Sequence, residues 1–289
     1  MESKIKVSII VPAYNVENYI EDCLNSLVNQ TLKDIEIIVV NDESTDSTFD
    51  IIKKYANNDS RIKVINQKNQ GVAGARNSGL EIALGEFIGF VDSDDWIDSN
   101  YFELLYNSAK ENDADMAIAS ILKHKKKYLK YNAKYTKLEV ANTIQEKIKL
   151  CQDKKKRFFY VWNKLCKADV IKNNSINFPQ GRVFEDVKFS TEAVFYSKKI
   201  IAVPNTYYHY IERQGSIVKS KKSEKKRNDH ILAYKELQEF AKIKGFKLPE
   251  ELNYYTKYRK FGVLKIYQGL YKKKILLFDF LPIYLHSAK

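Results

Sequence analysis

The chain has 289 residues, 44% of them apolar, with 49 Lys+Arg against 36 Asp+Glu and a formal charge of +13. That length buries one large core, or one core with an extension, and requires no second independent domain. Cys23, Cys151 and Cys166 fall in no metal-ligand or CxxC spacing, which argues against zinc and for reduced thiols. No apolar signal region opens the chain, so the expected location is the cytoplasm.

The net charge conceals a division. Residues 1–120 hold 10 Lys+Arg and 21 Asp+Glu, which leaves 39 and 15 for residues 121–289. The acidic part reads −11 and the basic part +24. A basic surface of that size suits a polyanion: a membrane, a lipid-pyrophosphate, an anionic glycan or nucleic acid.

In chain order, Lys6-Val7-Ser8-Ile9-Ile10-Val11 is a nearly continuous apolar run ending at Pro12, the pattern of a strand covered on both faces. Ile20, Leu24, Leu27 and Val28 then recur at helical spacing. A second strand, Ile35 to Val40, ends in Asn41-Asp42, and Glu43-Ser44-Thr45-Asp46 reads as a helix start capped by Ser44 or Thr45. After a third strand, Ile62 to Ile65, the glycine-bearing segment 69–77 reads as a loop leading to a helix. A fourth strand, Glu86 to Val91, runs into Asp92-Ser93-Asp94-Asp95-Trp96. Further on, Asp115 to Ser120 is strand-like and Lys123 to Lys137 is a basic, tyrosine-dotted hairpin or loop. Phe184-Glu185-Asp186 opens a helix, Ile200 to Val203 and Tyr207 to Ile211 read as strands, and from Ser223 onward the pattern reads as helical.

Strands alternating with helices predict an α/β fold with a mostly parallel sheet, whose ligands gather at the carboxyl ends of the strands. Alone, Asp92, Asp94 and Asp95 fit a helix-capping turn. Their arrival at the same edge as Pro12-Ala13-Tyr14-Asn15 and Asn41-Asp42 favours a ligand instead. Three acids within four residues repel one another unless a cation lies between them. Such an edge suits a nucleoside diphosphate: Tyr14 offers a face to stack on, Asp42 an acceptor for a base N–H, Asp92 an acceptor for ribose hydroxyls, and Asp94 a ligand for Mg²⁺ or Mn²⁺. Gly71-Val72-Ala73-Gly74 lacks the Lys-Ser/Thr of a phosphate-binding Walker loop, and no GxGxxG follows the first strand, which argues against ATPase and dinucleotide-dependent chemistry.

Four stretches carry a resemblance: Val7 to Asn15, Val40 to Asp46, Gly71 to Gly79, and Phe90 to Trp96. In their order and spacing the chain resembles the family 2 glycosyltransferases, including those of bacterial capsule, lipopolysaccharide and other surface polysaccharides. The likeness continues through Val161 to Leu165, Phe184 to Val187, and Tyr208-His209-Tyr210 with Arg213 to Ser216; it departs at Ile211, where members of that family often carry an arginine, and leaves Arg213 alone. It implies the GT-A fold, a Rossmann-like mixed, mostly parallel sheet flanked by helices, and a UDP-sugar donor. The implied donor-binding residues are Pro12, Tyr14, Asp42, Arg76 in a loop closing over the nucleotide, Asp92, Ser93 and Asp94. Asp92 and Asp94 match the metal-binding DxD, and Asp186 matches the base that activates the acceptor hydroxyl of a glycan or lipid-linked glycan. An inverting transfer needs that carboxylate opposite the metal-supported leaving group.

Other residues keep two readings. Glu185, Trp162 and Lys164 are acceptor-side candidates; equally, Glu185 suits a helix N-terminus, Trp162 core packing and Lys164 a solvated surface. His209 is an added metal ligand or an ordinary strand histidine, and Asp95 caps a helix beyond Trp96. The predicted division is 1–220 catalytic, with 1–120 on the donor side and 121–220 on the acceptor side, then 221–289 as a helical, basic and aromatic extension. Residues 254–289 read as a helix lying on the inner face of the membrane, or as packing against the catalytic domain or a second subunit of a homodimer. Two rival functions are a basic nucleic-acid-binding protein, which leaves the acidic edge unexplained, and a silent scaffold that keeps the fold.

Overall fold

The structure, a computed structural model, describes residues 5–125, 128–152, 158–212, 223–254, 256–260, 264–277 and 281–286. The chain divides into two compact units, Met1–Gly181 with Phe189–Ser220, and Arg182–Lys188 with Lys221–Lys289.

The first unit is built on β1 (Val7–Ala13) and β2 (Ile35–Asp42), in which every residue is buried. Nearly continuous apolar runs of this kind require cover on both faces, as in a parallel sheet. β1 pairs in parallel with β2 and with β4 (Phe87–Phe90), and β2 pairs in parallel with β3 (Ile62–Gln67). Beyond β4 the sheet becomes mixed. β9 (Lys164–Lys167) runs antiparallel between β4 and β6 (Met116–Lys125), and β10 (Ile200–Ile211) is parallel to β6. The short β5 (Trp96–Ile97) closes the path antiparallel to β10, while β7 (Tyr128–Ala133) and β8 (Glu139–Ala141) pair with β6 and β10. The basic segment after Ser120 is thus a hairpin, and the two strands expected at 200–211 are one strand with an irregularity between Ala202 and Tyr207.

Helix α1 (Ile20–Val28) buries Ile20, Cys23, Leu24 and Leu27, the face its spacing predicts. Helix α2 (Thr48–Asn58) begins later than expected, after Ser47. The reason is local: Ser44 Oγ and Asp46 Oδ2 accept from the backbone of Asn15 and Glu17, and Thr45 N–H donates to Asn15 Oδ1 at 2.8 Å. The polar groups expected to cap the helix are spent joining two loops.

The glycine-bearing segment is helix α3 (Gly71–Ile82) rather than a loop. Its small residues let the helix lie directly on β1: a Cβ at Gly79 would stand 2.5 Å from Ile10 Cγ2. The remaining helices of this part are α4 (Tyr101–Glu111), α5 (Ile144–Cys151), α6 (Ala168–Asn173) and α7 (Glu185–Tyr196). All three cysteines are buried and free.

The second unit contains α8 (Glu224–Ile243), whose Ser223 cap accepts from Lys226 N–H, a 3-10 turn at Glu250–Asn253, and a four-stranded antiparallel sheet. Its strands are β11 (Thr256–Lys260), β12 (Leu264–Gln268), β13 (Lys272–Leu277) and β14 (Leu281–His286). The expected helical extension therefore holds for α8 and fails beyond it. The cross-strand row Tyr258, Ile266, Ile275, Ile283 shows why. Aromatic and β-branched residues aligned across strands favour a pleated sheet over the helix suggested by the three-and-four spacing of the tyrosines. Among the described residues no helix is long and apolar enough to cross a membrane.

Glu36 sits inside β2 at 1% exposure and joins several segments. Its carboxylate accepts from Ser8 Oγ and from Leu84 N–H, and Lys63 Nζ lies 2.7 Å away. Burial pushes its pKa up, but the bonds from Lys63, Ser8 and Leu84 outweigh burial and hold it below the usual range. A depressed carboxyl contributes stability that is present above its unfolded value, about 4.3, and is lost as pH falls through the folded one. Glu36→Gln is expected to flatten the acid limb of a urea-stability profile; a limb as steep as in the parent chain would remove Glu36 from the account. Gly79→Ala forces α3 off β1 and is expected to cost about 1–3 kcal/mol, read as a lower Tm.

Candidate active site

The parallel register sets the donor-side residues next to one another. Pro12 lies opposite Val40 and Ala13 opposite Asn41, so Tyr14 leaves β1 beside Asp42 at the end of β2. Val91 N–H continues the β1–β4 ladder by donating to Ile10 O at 3.1 Å, which carries the acidic turn out beside Pro12. Tyr14 is 49% exposed and presents its ring outward. Asn15 and Glu43, just past the two strand ends, take left-handed backbone conformations (φ 49° and 63°) that turn the chain sharply at this edge.

Asp42 is buried. Its Oδ1 accepts from Gln67 Nε2 at 2.8 Å and from Gln70 N–H at 2.9 Å, at the start of α3; neither bond uses Oδ2. Arg76 lies on α3, so the expected closing loop is instead a helix. Its guanidinium is buried, bonded to Asp92 Oδ1 at 2.8 Å and set over the Phe178 ring at 5.3 Å.

The acidic turn brings ligand oxygens of Asp92, Asp94 and Asp95 within 4.8 Å of one another. Ser93 is buried between them. Asp95 does not cap a helix. It is 2% exposed, and its carboxylate accepts from the Tyr208 hydroxyl at 2.8 Å and from Ile211 N–H at 2.7 Å. Burial first, then the charges of Asp94 and Asp92, push its pKa well up. The same Tyr208 oxygen accepts from Asp92 N–H at 3.0 Å, so one phenol on β10 holds both ends of the turn. Three convergent carboxylates, one of them penalised by its neighbours' charge, fit a divalent cation.

His209 does not join this group. Its Nε2 is 2.8 Å from Asp98 Oδ1, its Nδ1 is 2.8 Å from His124 Nε2, and its ring stacks on Trp96 with centroids 3.4 Å apart. Both ring nitrogens are engaged in supporting the strand behind the turn. The acceptor-side candidates separate similarly. Trp162 is buried and stacks on Tyr208 and Tyr210, which favours packing. Lys164 is also buried, its ammonium bonded to Tyr160 O and to Asn163 Oδ1, and is no solvated lysine.

Glu185 and Asp186 open α7, whose first residues to Lys188 fall in the second unit and whose remainder falls in the first; Glu185 is buried and Asp186 half-buried. Phe184 immediately before them has φ 65°, a strained setting for a bulky residue. Within the second unit Arg182 pairs with Glu236 and Val183 N–H donates to Asp229 Oδ2 at 3.1 Å. Arg213 to Ser216 lie outside the described residues.

Sequence reasoning had picked out Tyr208 as part of a motif but not its role as the anchor of the turn. It also missed the clamp in which Asn77 and the backbone of Phe178 exchange hydrogen bonds of 2.8 and 2.9 Å beneath Arg76. Nothing local marked Tyr208, which stands among Tyr207, His209 and Tyr210 in the same strand, while its partner Asp95 lies 113 residues away. The clamp spans 101 residues and leaves no local pattern.

A family model for glycosyl transferase family 2 matches residues 8–174. The chain belongs to glycosyltransferase family 2. It is 40% identical over 220 residues to the putative glycosyltransferase EpsH of Bacillus subtilis, covering 73% of this chain and 62% of EpsH. It is 38% identical over 217 residues to the poly(ribitol-phosphate) beta-glucosyltransferase of Bacillus spizizenii, covering 73% of this chain and 33% of that one. The chain thus spans under two thirds of either relative. The fold is that of S. aureus TarS 1-349, solved in complex with UDP-GlcNAc, at a TM-score of 0.67 and 26% identity, over 85% of this chain and 68% of that one. This family 2 chain accordingly has the GT-A architecture.

The support beneath the family's acidic turn can be tested directly. Tyr208→Phe removes a donor to Asp95 and an acceptor for Asp92 N–H, and is expected to cost about 1–3 kcal/mol in urea denaturation. A cost near zero would show the turn to be held without it.

Proposed function

We propose that the chain is a metal-dependent, inverting glycosyltransferase that moves a sugar from a UDP-linked donor to a hydroxyl of a surface glycan or glycolipid. The observation that carries this reading is the meeting of Tyr14, Asp42 and the three-carboxylate turn at the carboxyl edge of the sheet of a family 2 chain. The UDP assignment draws on the likeness to TarS, solved with UDP-GlcNAc, and the surface-glycan assignment on the likeness to the poly(ribitol-phosphate) beta-glucosyltransferase.

In this reading Tyr14 stacks on the base and Asp42 accepts its ring N–H, with Pro12 shaping the floor between them. Asp92, steadied by Arg76 and flanked by Ser93, accepts the ribose hydroxyls. Asp94 with Asp92 holds Mn²⁺ or Mg²⁺, and a cation there neutralises charge on the diphosphate leaving group. Asp186 takes the proton of the acceptor hydroxyl, and Glu185 helps orient that acceptor. A general base in this role is worth about 10²–10⁴ in rate.

UDP release from UDP-GlcNAc and other UDP-sugars with Mn²⁺ tests the assignment in three chains. Asp94→Ala is expected to lose metal-dependent donor binding in a thermal-shift titration, and Asp186→Asn to keep donor binding while losing about 10²–10⁴ in turnover. Full turnover in both variants would refute the roles given.

A further inference from the structure

The β6–β7 hairpin carries an arrangement that donor binding leaves unexplained. Between Asp115 and Glu139 the sequence has seven lysines and no acid. The antiparallel register sets Lys123 directly opposite Lys130 and Lys125 opposite Tyr128, so three lysines and a tyrosine occupy one face. Like charges opposite one another destabilise a sheet, and a hairpin with this pairing gains by meeting an anion. Lys125 Nζ lies 3.0 Å from the Tyr128 hydroxyl and 5.1 Å from the centre of its ring, and Lys123 Nζ lies 4.8 Å from the centre of the Tyr210 ring. Glu212 reaches Lys123 at 3.3 Å, on the inner rung. Tyr128, at the outer rung with Lys125, is 54% exposed, and Lys130, across from Lys123 on the inner rung, is exposed as well.

The hairpin is tied to the acidic turn. His124, between Lys123 and Lys125, meets His209 through its Nε2 at 2.8 Å, and its ring is 5.5 Å from that of Trp96, which follows the turn. Residues two apart on one strand stand about 6.8 Å apart. The two rungs therefore gather three positive charges in one patch, on the hairpin that His124 ties to the strand behind the turn where the donor reading puts the sugar. A single small anion would use one lysine. A membrane plane would meet the exposed tip and leave the inner lysine unused. A chain of regularly spaced phosphates uses the whole patch, and the exposed Tyr128 ring gives its sugar or polyol units an apolar face.

We propose that the face formed by Lys123, Lys125, Tyr128 and Lys130 binds the acceptor, and that this acceptor is a phosphate-bearing glycan or polyol chain. The proposal deepens the glycosyltransferase reading and rests on it for the word acceptor. Its test uses binding without donor or turnover, so that loss of this surface and loss of the catalytic assignment give separate results.

The full chain and the variant Lys125→Glu with Lys130→Glu are titrated by fluorescence anisotropy against a synthetic glycerol-phosphate oligomer at about 50 mM salt. The expected result is binding that weakens steeply with salt and falls at least about tenfold in the variant, at unchanged Tm, because charge contacts to phosphates dominate such affinities. The charge-preserving pair Lys125→Arg with Lys130→Arg is expected to bind like the parent chain. Equal binding by parent and Glu variant would overturn the proposal. So would failure of the parent to bind the oligomer while floating with phosphatidylglycerol vesicles, which assigns the face to a membrane. Tighter binding of an oligothymidylate of equal charge would assign it to nucleic acid and overturn it likewise.

Discussion

Mutual repulsion among three carboxylates in four residues is the constraint around which the first unit is arranged. Asp92 is met by the Arg76 guanidinium from α3, Asp95 by the Tyr208 hydroxyl and the Ile211 N–H from β10, and the turn closes on itself through Asp95 N–H to Asp92 O at 3.0 Å. Each support comes from a different element, and each element has its own reason to be there. α3 lies close because Gly79 admits Ile10, and β10 is placed by its long parallel pairing with β6. Removing charge from the turn would relieve the repulsion but also the attraction for a cation, so the fold holds the acids in place at a cost rather than dispersing them.

Support behind the turn is polar and aromatic in alternation. Asp98, His209 and His124 form a line of hydrogen bonds, Trp96 covers His209, and Trp162 covers Tyr208. Burial together with the neighbouring His209 holds the His124 pKa below its usual range, which keeps His124 from adding positive charge near neutral pH. Flat rings stacked this way fix side chains that carry hydrogen bonds without presenting further acids to the site.

Much of the parallel sheet was legible because such strands write themselves plainly: nearly continuous apolar runs in β1 and β2, each stopping in polar residues, announce both the sheet and its carboxyl edge. What stayed hidden depended on contacts between distant segments. Arg76 read as part of a loop because glycine and alanine suggest flexibility, whereas here they permit close packing of a helix. Asp95 read as a cap because its partner Tyr208 lies 113 residues away. The C-terminal strands were misread because lysines and tyrosines at mixed spacing satisfy a helical period about as well as a cross-strand one.

Helix α3 joins two ends of the sheet's carboxyl edge. Asp42 Oδ1 holds the backbone N–H of Gln70, the residue that caps the start of this twelve-residue helix, and Arg76 within the helix holds Asp92. The helix behaves as a stiff rod about 18 Å long, so these attachments cannot shift independently. For the history of such a chain this means that Asp42 and the acidic turn share a single heritable support. Drift at Asp42 is felt at Asp92, and lineages that change one are bound to re-tune the other.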